Sequence, residues 1–377
     1  MTVDPAVLLA GPRGRRLCLE WARTGALGEG DDHRLSSAIF DAAHDLDPGR
    51  GASRVLFGVS TDDTAHGTDP SSPPTPAAGD VARLLADASL AEPDGRALLQ
   101  VLTEAVGNAR YWQPPDGEDV LAAAPEMRAP LARVAAILAA STHAAWWATP
   151  LDQSEQWAVE FAGTAAEGVP ERTAAQILEQ SRAGRAEEEV LAERDWPADP
   201  CAAFSGPWWS KPPSGLTSTT RSLVGAGPAG LGLVEDAMGW DTATVQRIHL
   251  PRNARVYEID GPDAWAHLCR RYPVGVTASR RQVWYQTTAR IGRWAMPDWA
   301  GVARDFDAAH LTVAGYLATA GRAIPVDDDL ATVLAGWDPD QTYWLTEVAQ
   351  DRSTAQVWHR GERDWTRAVP PGTRANA

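Results

Sequence analysis

Two prolines in four residues, in Trp196-Pro197-Ala198-Asp199-Pro200, divide the chain into stretches that follow different rules. Proline removes a backbone N–H and disfavours helix in the residue before it, so no regular helix runs through this point. Before the break apolar residues recur at helical spacing, whereas after it short β-prone runs alternate with few helices. The 377 residues suffice for about two domains. The expected division is an acidic, mostly helical part over 1–195, an α+β part over 196–350 that bears any active site, and a polar tail over 351–377.

Charge changes at the same place. Up to Asp195 there are 16 Arg against 31 Asp and Glu, net −15, and beyond it 18 Lys and Arg against 19 Asp and Glu, net −1. The acidic half repels phosphate backbones, which argues against non-specific nucleic-acid binding. The longest apolar stretch, over 131–147, is broken by Arg133, Ser141, Thr142 and His143. It falls short of the roughly 18–20 uncharged residues a membrane span needs. Cys18, Cys201 and Cys269 make neither a disulfide framework nor a four-cysteine zinc site. Without a basic segment followed by an apolar run at the start, the expected compartment is cytoplasmic.

Residues 16–21 and 53–58 read as strands on either side of a helical pattern over 35–43. Residues 60–79, dense in Pro, Ser, Thr, Asp and Gly, read as a loop. Asp80 is placed to cap a helix over 81–88, and further helical patterns cover 97–109, 127–140, 154–162 and 173–194. After Pro200 the expected strands are 215–224, 245–250, 255–260, 309–313, 331–335 and 342–348. Helices are expected from Pro262 to about Tyr272 and from Trp299 to Phe306. Short runs without regular helical crossovers point to an α+β domain with mainly antiparallel sheet.

Gly225-Ala226-Gly227-Pro228-Ala229-Gly230 is spelled like a flavin-dinucleotide fingerprint, in which glycines let a pyrophosphate approach a helix N-terminus. The residues before it are polar where a buried strand is required, and Glu258 and Asp260 lie too far downstream for the acid needed about 20 positions on. These neighbours favour a glycine-rich turn, so FAD is not expected and a flavin oxidoreductase ranks third among the readings.

Tryptophan is over-represented, at 17 residues against 6 Tyr and 5 Phe. Trp208 and Trp209 precede Lys211, the only lysine, in a loop that leads straight into Thr217-Ser218-Thr219-Thr220. Rings feeding a strand of hydroxyls suit a planar base and a ribose.

Overall the chain resembles an uncharacterised actinobacterial protein family, which implies no activity. Over 204–348 its motifs resemble those of ADP-ribosyltransferases, in which a Ser-Thr-Ser/Thr strand shapes the NAD+ pocket, an aromatic ring stacks on nicotinamide and a glutamate lies on a late strand. That likeness implies an ADP-ribosyltransferase-like domain with NAD+ as co-substrate. Ser218, Thr219 and Thr220 would form the pocket strand, Trp208, Trp209 and Tyr257 would be further contacts, and Glu347 would be the catalytic carboxylate. A carboxylate suits the chemistry, because cleaving the nicotinamide–ribose bond passes through an oxocarbenium-like state. The chain departs from the family in having no Arg or His between Arg194 and Arg221, and in having Leu345 two residues before Glu347.

Asp307 and His310, at an expected helix-to-strand junction, are reserve acid/base candidates. Asp338-Pro339-Asp340 has turn chemistry. Asp41, His44 and Asp45, and the run Asp327, Asp328 and Asp329, read as solvated acids rather than cation sites, so no metal is expected. Arg270, Arg271, Arg280, Arg281, Arg290 and Arg293 form either an anion site or a solvated face. An NAD+-using ADP-ribosyltransferase or NAD glycohydrolase of unknown target leads. The alternative is a non-catalytic interaction module with a Trp-rich surface.

Overall fold

The computed structural model describes residues 3–27, 31–49, 75–163, 172–362 and 364–368. The strand expected over 53–58 and most of the loop over 60–79 lie outside them. The first part of the chain comprises α1 (Pro5–Ala10), α2 (Pro12–Thr24), β1 (Ala26–Leu27), α3 (Asp31–Leu46), α4 (Ala78–Asp87), β2 (Ser89–Leu90), α5 (Gly95–Gly107), α6 (Gly117–Ala123), α7 (Arg128–Ala140), β3 (Trp157–Phe161) and α8 (Ala174–Asp195). Next come β4 (Ser218–Thr219), β5 (Ser222–Leu223), β6 (Gly227–Pro228), β7 (Thr242–His249), β8 (Val256–Ile259), α9 (Pro262–Arg271), β9 (Pro273–Gly275), α10 (Thr277–Thr288) and β10 (Arg293–Pro297). The last are α11 (Trp299–Val302), β11 (Ala308–Leu311), α12 (Val313–Thr319), β12 (Ile324–Pro325), β13 (Leu330–Thr332), β14 (Thr342–Trp344), β15 (Ala349–Arg360) and β16 (Trp365–Arg367).

The protein is α+β, with helices dominating the first half and mixed, mainly antiparallel sheets the second. One sheet runs β4-β14-β11-β8, with β8 and β11 parallel and the other pairs antiparallel. A second runs β12-β13-β10-β9, and a third, β16-β15-β7-β3, is wholly antiparallel. A bridge between Trp157 and Thr220 joins the third sheet to the first. The apolar core crosses Asp195 without a break: Leu8, Leu17 and Leu138 belong to the same cluster as Trp265, Trp337 and Tyr343. Trp265, Trp299, Trp337 and Tyr343 form a chain of edge-on and tilted rings 5.4–6.3 Å apart, the geometry ring quadrupoles favour.

Several local expectations are corrected. Residues 16–21 are helical, inside α2, which is buried on all sides over this stretch: Arg13, Gly14 and every residue from Arg16 to Ala22 are buried. Three of the buried positions, Arg13, Arg16 and Glu20, are charged and buried as paired groups, which disguised the helix as an alternating strand. Asp80 is not the cap of α4 but its third residue, accepting the Ala77 N–H at 2.9 Å. Residues 154–162 hold β3 rather than a helix, because Trp157, Val159 and Phe161 cover the third sheet alongside Trp358 and Trp365. Residues 351–360 and 365–367 of the polar tail instead belong to β15 and β16, strands that show one wet face and so read as hydrophilic. The strand expected over 309–313 ends at Leu311, where Thr312 caps α12 through the Gly315 N–H at 2.9 Å. Gly117, at the start of α6, meets α3 so closely that a Cβ would sit 1.8 Å from the Ala43 carbonyl oxygen.

Candidate functional site

Polar side chains converge on the turn between β13 and β14. Gly336 at φ +78° and Asp340 at φ +61° give this turn its shape, the latter in a region that non-glycine residues seldom enter and Asp tolerates better than most. The loop carrying Trp208 and Trp209 is tied to it: the Ser210 N–H donates to the Ala335 carbonyl at 2.9 Å, and the Ala335 N–H donates to Ser210 Oγ at 3.1 Å.

Asp340 anchors the first of two charged groups. Its carboxylate accepts from the Arg221 N–H at 3.0 Å, Arg221 Nε at 2.5 Å and Thr220 Oγ1 at 2.9 Å, and lies 3.5 Å from His310 Nε2. His310 Nδ1 is 2.6 Å from Glu258 Oε2, and Glu258 Oε1 accepts the Leu151 N–H at 3.0 Å. Burial alone would raise the Asp340 carboxyl and lower the His310 imidazole. The charges of His310 and Arg221 instead hold Asp340 below its ordinary value, and hydrogen bonds to Asp340 and Glu258 hold His310 above its own.

The second group lies on the other side of Pro339. Asp338 Oδ1 accepts the Glu235 N–H at 2.8 Å. Burial pushes the Asp338 carboxyl up to about 6 against the pull of Lys211. Burial and then the charge of Asp338 push the Glu235 carboxyl up to about 8. The Lys211 ammonium is held above its usual value by Tyr343 and then, against burial, by Asp338.

Between these groups a cleft is lined by Trp157, Phe161, Ser218, Thr220, Asp338 and Gln341, with Val159, Thr219, Gly230 and Pro339 completing its wall. Trp157 Nε1 and Gln341 Oε1, a donor and an acceptor on this wall, are buried without a partner. The cavity volume is about 40 Å³, room for a few water molecules, so a ligand of nucleotide size requires its aromatic wall to swing outward. A larger open groove of about 410 Å³ lies on the acidic helices, lined by Arg23, Ser36, Ser37, Phe40, Asp41 and Glu118. Its Arg23 is engaged by Glu20 and Glu104, and its Glu118 by Arg16.

The structure brings only some of the sequence candidates together. Ser218, Thr219 and Thr220 line the cleft. Their hydroxyls are committed: Gln341 Nε2 donates to Ser218 Oγ at 3.3 Å, Thr219 Oγ1 donates to Gln156 Oε1 at 2.7 Å, and Thr220 donates to Asp340. Trp208 is half-buried against Tyr111 and Trp209 is exposed, both beside Gly336 and neither on the cleft wall. Tyr257 donates its hydroxyl to the Ala264 carbonyl at 2.7 Å. Glu347 is exposed and accepts the Ala174 N–H at 2.9 Å, capping α8. Asp307 is held by Arg255 at 2.9 Å, separate from the buried His310.

Trp157, Phe161 and Gln341 on the cleft wall, and Arg221 and Glu235 in the charged groups beside it, were not singled out beforehand. Asp338 and Asp340 were read as turn formers; two acids flanking a proline between strands was the available signal. The arginine run is spent internally. Arg280 and Arg281 engage Glu188 and Glu193 of α8, Arg271 engages Asp305, Arg293 engages Asp329, and Arg270 and Arg290 donate to carbonyls. The Gly225 turn closes the β5–β6 hairpin, and only a single turn of 3-10 helix follows it, so it lacks the long helix a dinucleotide site needs. Among the described residues no group of three or more His, Cys, Asp or Glu is placed to hold a metal ion, and no helix is long and apolar enough to cross a membrane. Comparison of the chain with family models, with curated proteins and with solved structures finds no match.

Proposed function

We propose that the cleft beside β4 is a ligand site and that the protein consumes NAD+, as an ADP-ribosyltransferase or an NAD glycohydrolase. The observation that carries this reading is the make-up of one wall. Two aromatic rings, a strand of hydroxyls, an unpartnered indole donor, an unpartnered amide acceptor and one carboxyl all face the same small space. A nicotinamide group presents the matching set, a flat ring with a carboxamide that both accepts and donates. Trp157 Nε1 receives the carboxamide oxygen and Gln341 Oε1 its NH2 group, while Asp338 faces the ribose carbon that gains positive charge as the glycosidic bond breaks. In this arrangement Asp338 takes the part that family likeness would give to Glu347.

The test is thermal unfolding with and without NAD+. At about 100 times the dissociation constant, binding adds about 2.7 kcal/mol, a shift of several degrees in a domain of about 150–250 residues. Asp338→Asn should retain the shift and lose turnover, whereas Gln341→Ala should weaken the shift. No shift at millimolar NAD+ removes this function. A second reading, a non-catalytic interaction module, gains support from one patch: Trp112, 41% exposed, donates to Asp236 at 2.9 Å, and Met238, 73% exposed, follows two residues on. Loss of a partner in Trp112→Ala, with NAD+ inert, selects it.

A further inference from the structure

The face of the third sheet that looks onto the cleft changes character along its length. Trp157, Val159 and Phe161, the three residues of β3 on the cleft wall, are paired across the ladder with Arg247, Val245 and Ala243 of β7. Directly opposed residues of an antiparallel pair point to the same side, so Arg247 stands on the cleft side of the sheet. At the Phe161 end the surface is built from rings: Phe161 stacks on Trp240 at 4.7 Å and lies 5.8 Å from Trp365. The Trp157 end finishes in a charge instead. The Arg247 guanidinium lies 5.8 Å from the centroid of the Trp157 ring, within cation–π range.

Arg247 is positioned but still accessible. Its backbone N–H donates to Thr354 Oγ1 at 2.9 Å, which fixes its place on the strand. Its side chain is 47% exposed and pairs at 3.4 Å with Glu155, which is 37% exposed; an exposed pair of this kind is weakly held. Arg221, the cation that follows the hydroxyl strand, is by contrast buried and engaged by Asp340, Thr149 and the Pro150 carbonyl. A cavity of about 40 Å³ accepts only part of a dinucleotide, so the remainder must lie along an adjoining surface. Stacked rings at the Phe161 end give a diphosphate no donor, whereas the guanidinium at the Trp157 end presents the planar fork that matches phosphate oxygens.

We propose that Arg247 is a specificity-determining residue of the cleft: the phosphate-bearing part of the ligand leaves at the Trp157 end and is held by the Arg247 guanidinium, so the site selects a phosphorylated ligand over its nucleoside. This rests on the reading of the cleft as the NAD+ site and adds to it the path of the diphosphate. Glu155 then has the opposing part, since it competes for Arg247 and repels the phosphate.

Melting-temperature titrations of the full chain test this, with NAD+ and with nicotinamide riboside, which has the same ring and ribose and no phosphate. Arg247→Gln should weaken NAD+ binding about tenfold or more, the effect of losing a charge-assisted hydrogen bond, and leave nicotinamide riboside unchanged. Glu155→Gln should tighten NAD+ binding and again leave the riboside unchanged. Both substitutions break the same ion pair, so a merely structural pair would make them act alike; NAD+ weakened by both overturns the proposal. Added salt should weaken NAD+ binding in wild type and far less in Arg247→Gln. Both side chains are exposed, so the unliganded melting temperature should change little in either variant. An equal loss for the two ligands in Arg247→Gln, or NAD+ binding untouched by it, overturns the proposal while the reading of the cleft stands. Wild type that binds neither ligand removes that reading, and the proposal with it.

Discussion

Two buried charge clusters in this molecule solve the same problem in opposite ways. In the helical half, Arg16 of α2 reaches Glu20 and Asp116 at 2.9 Å, Asp119 at 3.4 Å, and also Glu118, while Arg13 pairs with Asp119. Three of those carboxylates, Asp116, Glu118 and Asp119, come from the start of α6, and Glu20 from α2 itself, so the cluster staples α6 to α2. Around the turn after β13, by contrast, Glu235 is buried with its N–H donated to Asp338, neither acid has an arginine in an ion pair with it among the described residues, and burial pushes their carboxyls up to about 8 and about 6. A saturated cluster serves position and stability; an unsaturated one is a cost to the fold that only another use offsets.

The sharpest way to break this contrast is to remove one side chain from each cluster. Arg16→Ala strips the common partner from four carboxylates and should cost about 3–5 kcal/mol, the usual penalty for leaving buried charge uncompensated. Glu235→Gln keeps a carbonyl oxygen to accept from Tyr316 and the Gly336 N–H and should change stability by no more than about 1 kcal/mol near pH 5. Denaturant unfolding of both variants at one pH decides the matter, and equal losses would erase the distinction.

The Arg221–Asp340–His310–Glu258 line gives an intermediate effect and a pH signature. Asn tolerates the left-handed backbone at position 340, so Asp340→Asn isolates the charge and should cost about 2–3 kcal/mol at pH 7 from weakened charged hydrogen bonds. Asp340 is held below its ordinary value, so its contribution is present above about 3.8 and is lost as pH falls below that. His310 is held above its ordinary value, so its share is complete below about 6.5 and disappears as pH rises past that point. In Asp340→Asn both dependences should shrink, and the His310 proton, followed by NMR, should leave at a lower pH. An unmoved His310 titration shows that Glu258 alone holds that proton.

Gly227 tests the packing of the third sheet at a smaller scale. It sits at φ +79°, and a Cβ there would meet the Trp358 ring at 2.5 Å. Gly227→Ala should therefore cost about 1–3 kcal/mol through backbone strain and a displaced ring. Gly225, at the same φ with open space around it, should lose only the strain. Equal costs at the two positions would show that Trp358 yields freely.

How much of this was legible in the sequence depended on whether local pattern or distant pairing set the outcome. α9 was legible because Pro262 starts it and Tyr272-Pro273 ends it, both local signals. β7 and β8 were legible from their β-prone residues. α2 was not, because its buried residues include Arg13 and Arg16, whose partners lie about 100 residues away at the start of α6, and Glu20, which Arg16 and Arg23 hold. β3 was not, because what makes residues 157–161 a strand is β7, found far downstream. The hydroxyl strand of the cleft was visible as Ser218-Thr219-Thr220. The rest of its lining was not, since Trp157 and Gln341 reach it through sheet pairing that no spacing announces. Glu235 could not be singled out from sequence, because its distinction lies in its burial beside Asp338, a property of the folded surroundings alone.

The smallest expected effect bears on the largest functional question. Glu347 is an exposed carboxylate whose contact is the Ala174 N–H, where it caps the first turn of α8 together with Thr173. Replacing it with glutamine keeps an acceptor oxygen and removes a negative charge near a helix N-terminus, which should cost about 0.3–1 kcal/mol. Its effect on NAD+ turnover should be negligible, whereas Asp338→Asn, nearly isosteric on the cleft wall, should lower turnover by orders of magnitude. If the ranking inverts, so that Glu347→Gln abolishes turnover and Asp338→Asn leaves it intact, the reactive carboxylate is at the exposed start of α8. The cleft beside β4, with Glu235 and Lys211 behind it, would then be structural. Measuring both variants in one assay, with unfolding curves to confirm that each remains folded, separates these arrangements, because the two carboxylates differ in burial and in partners.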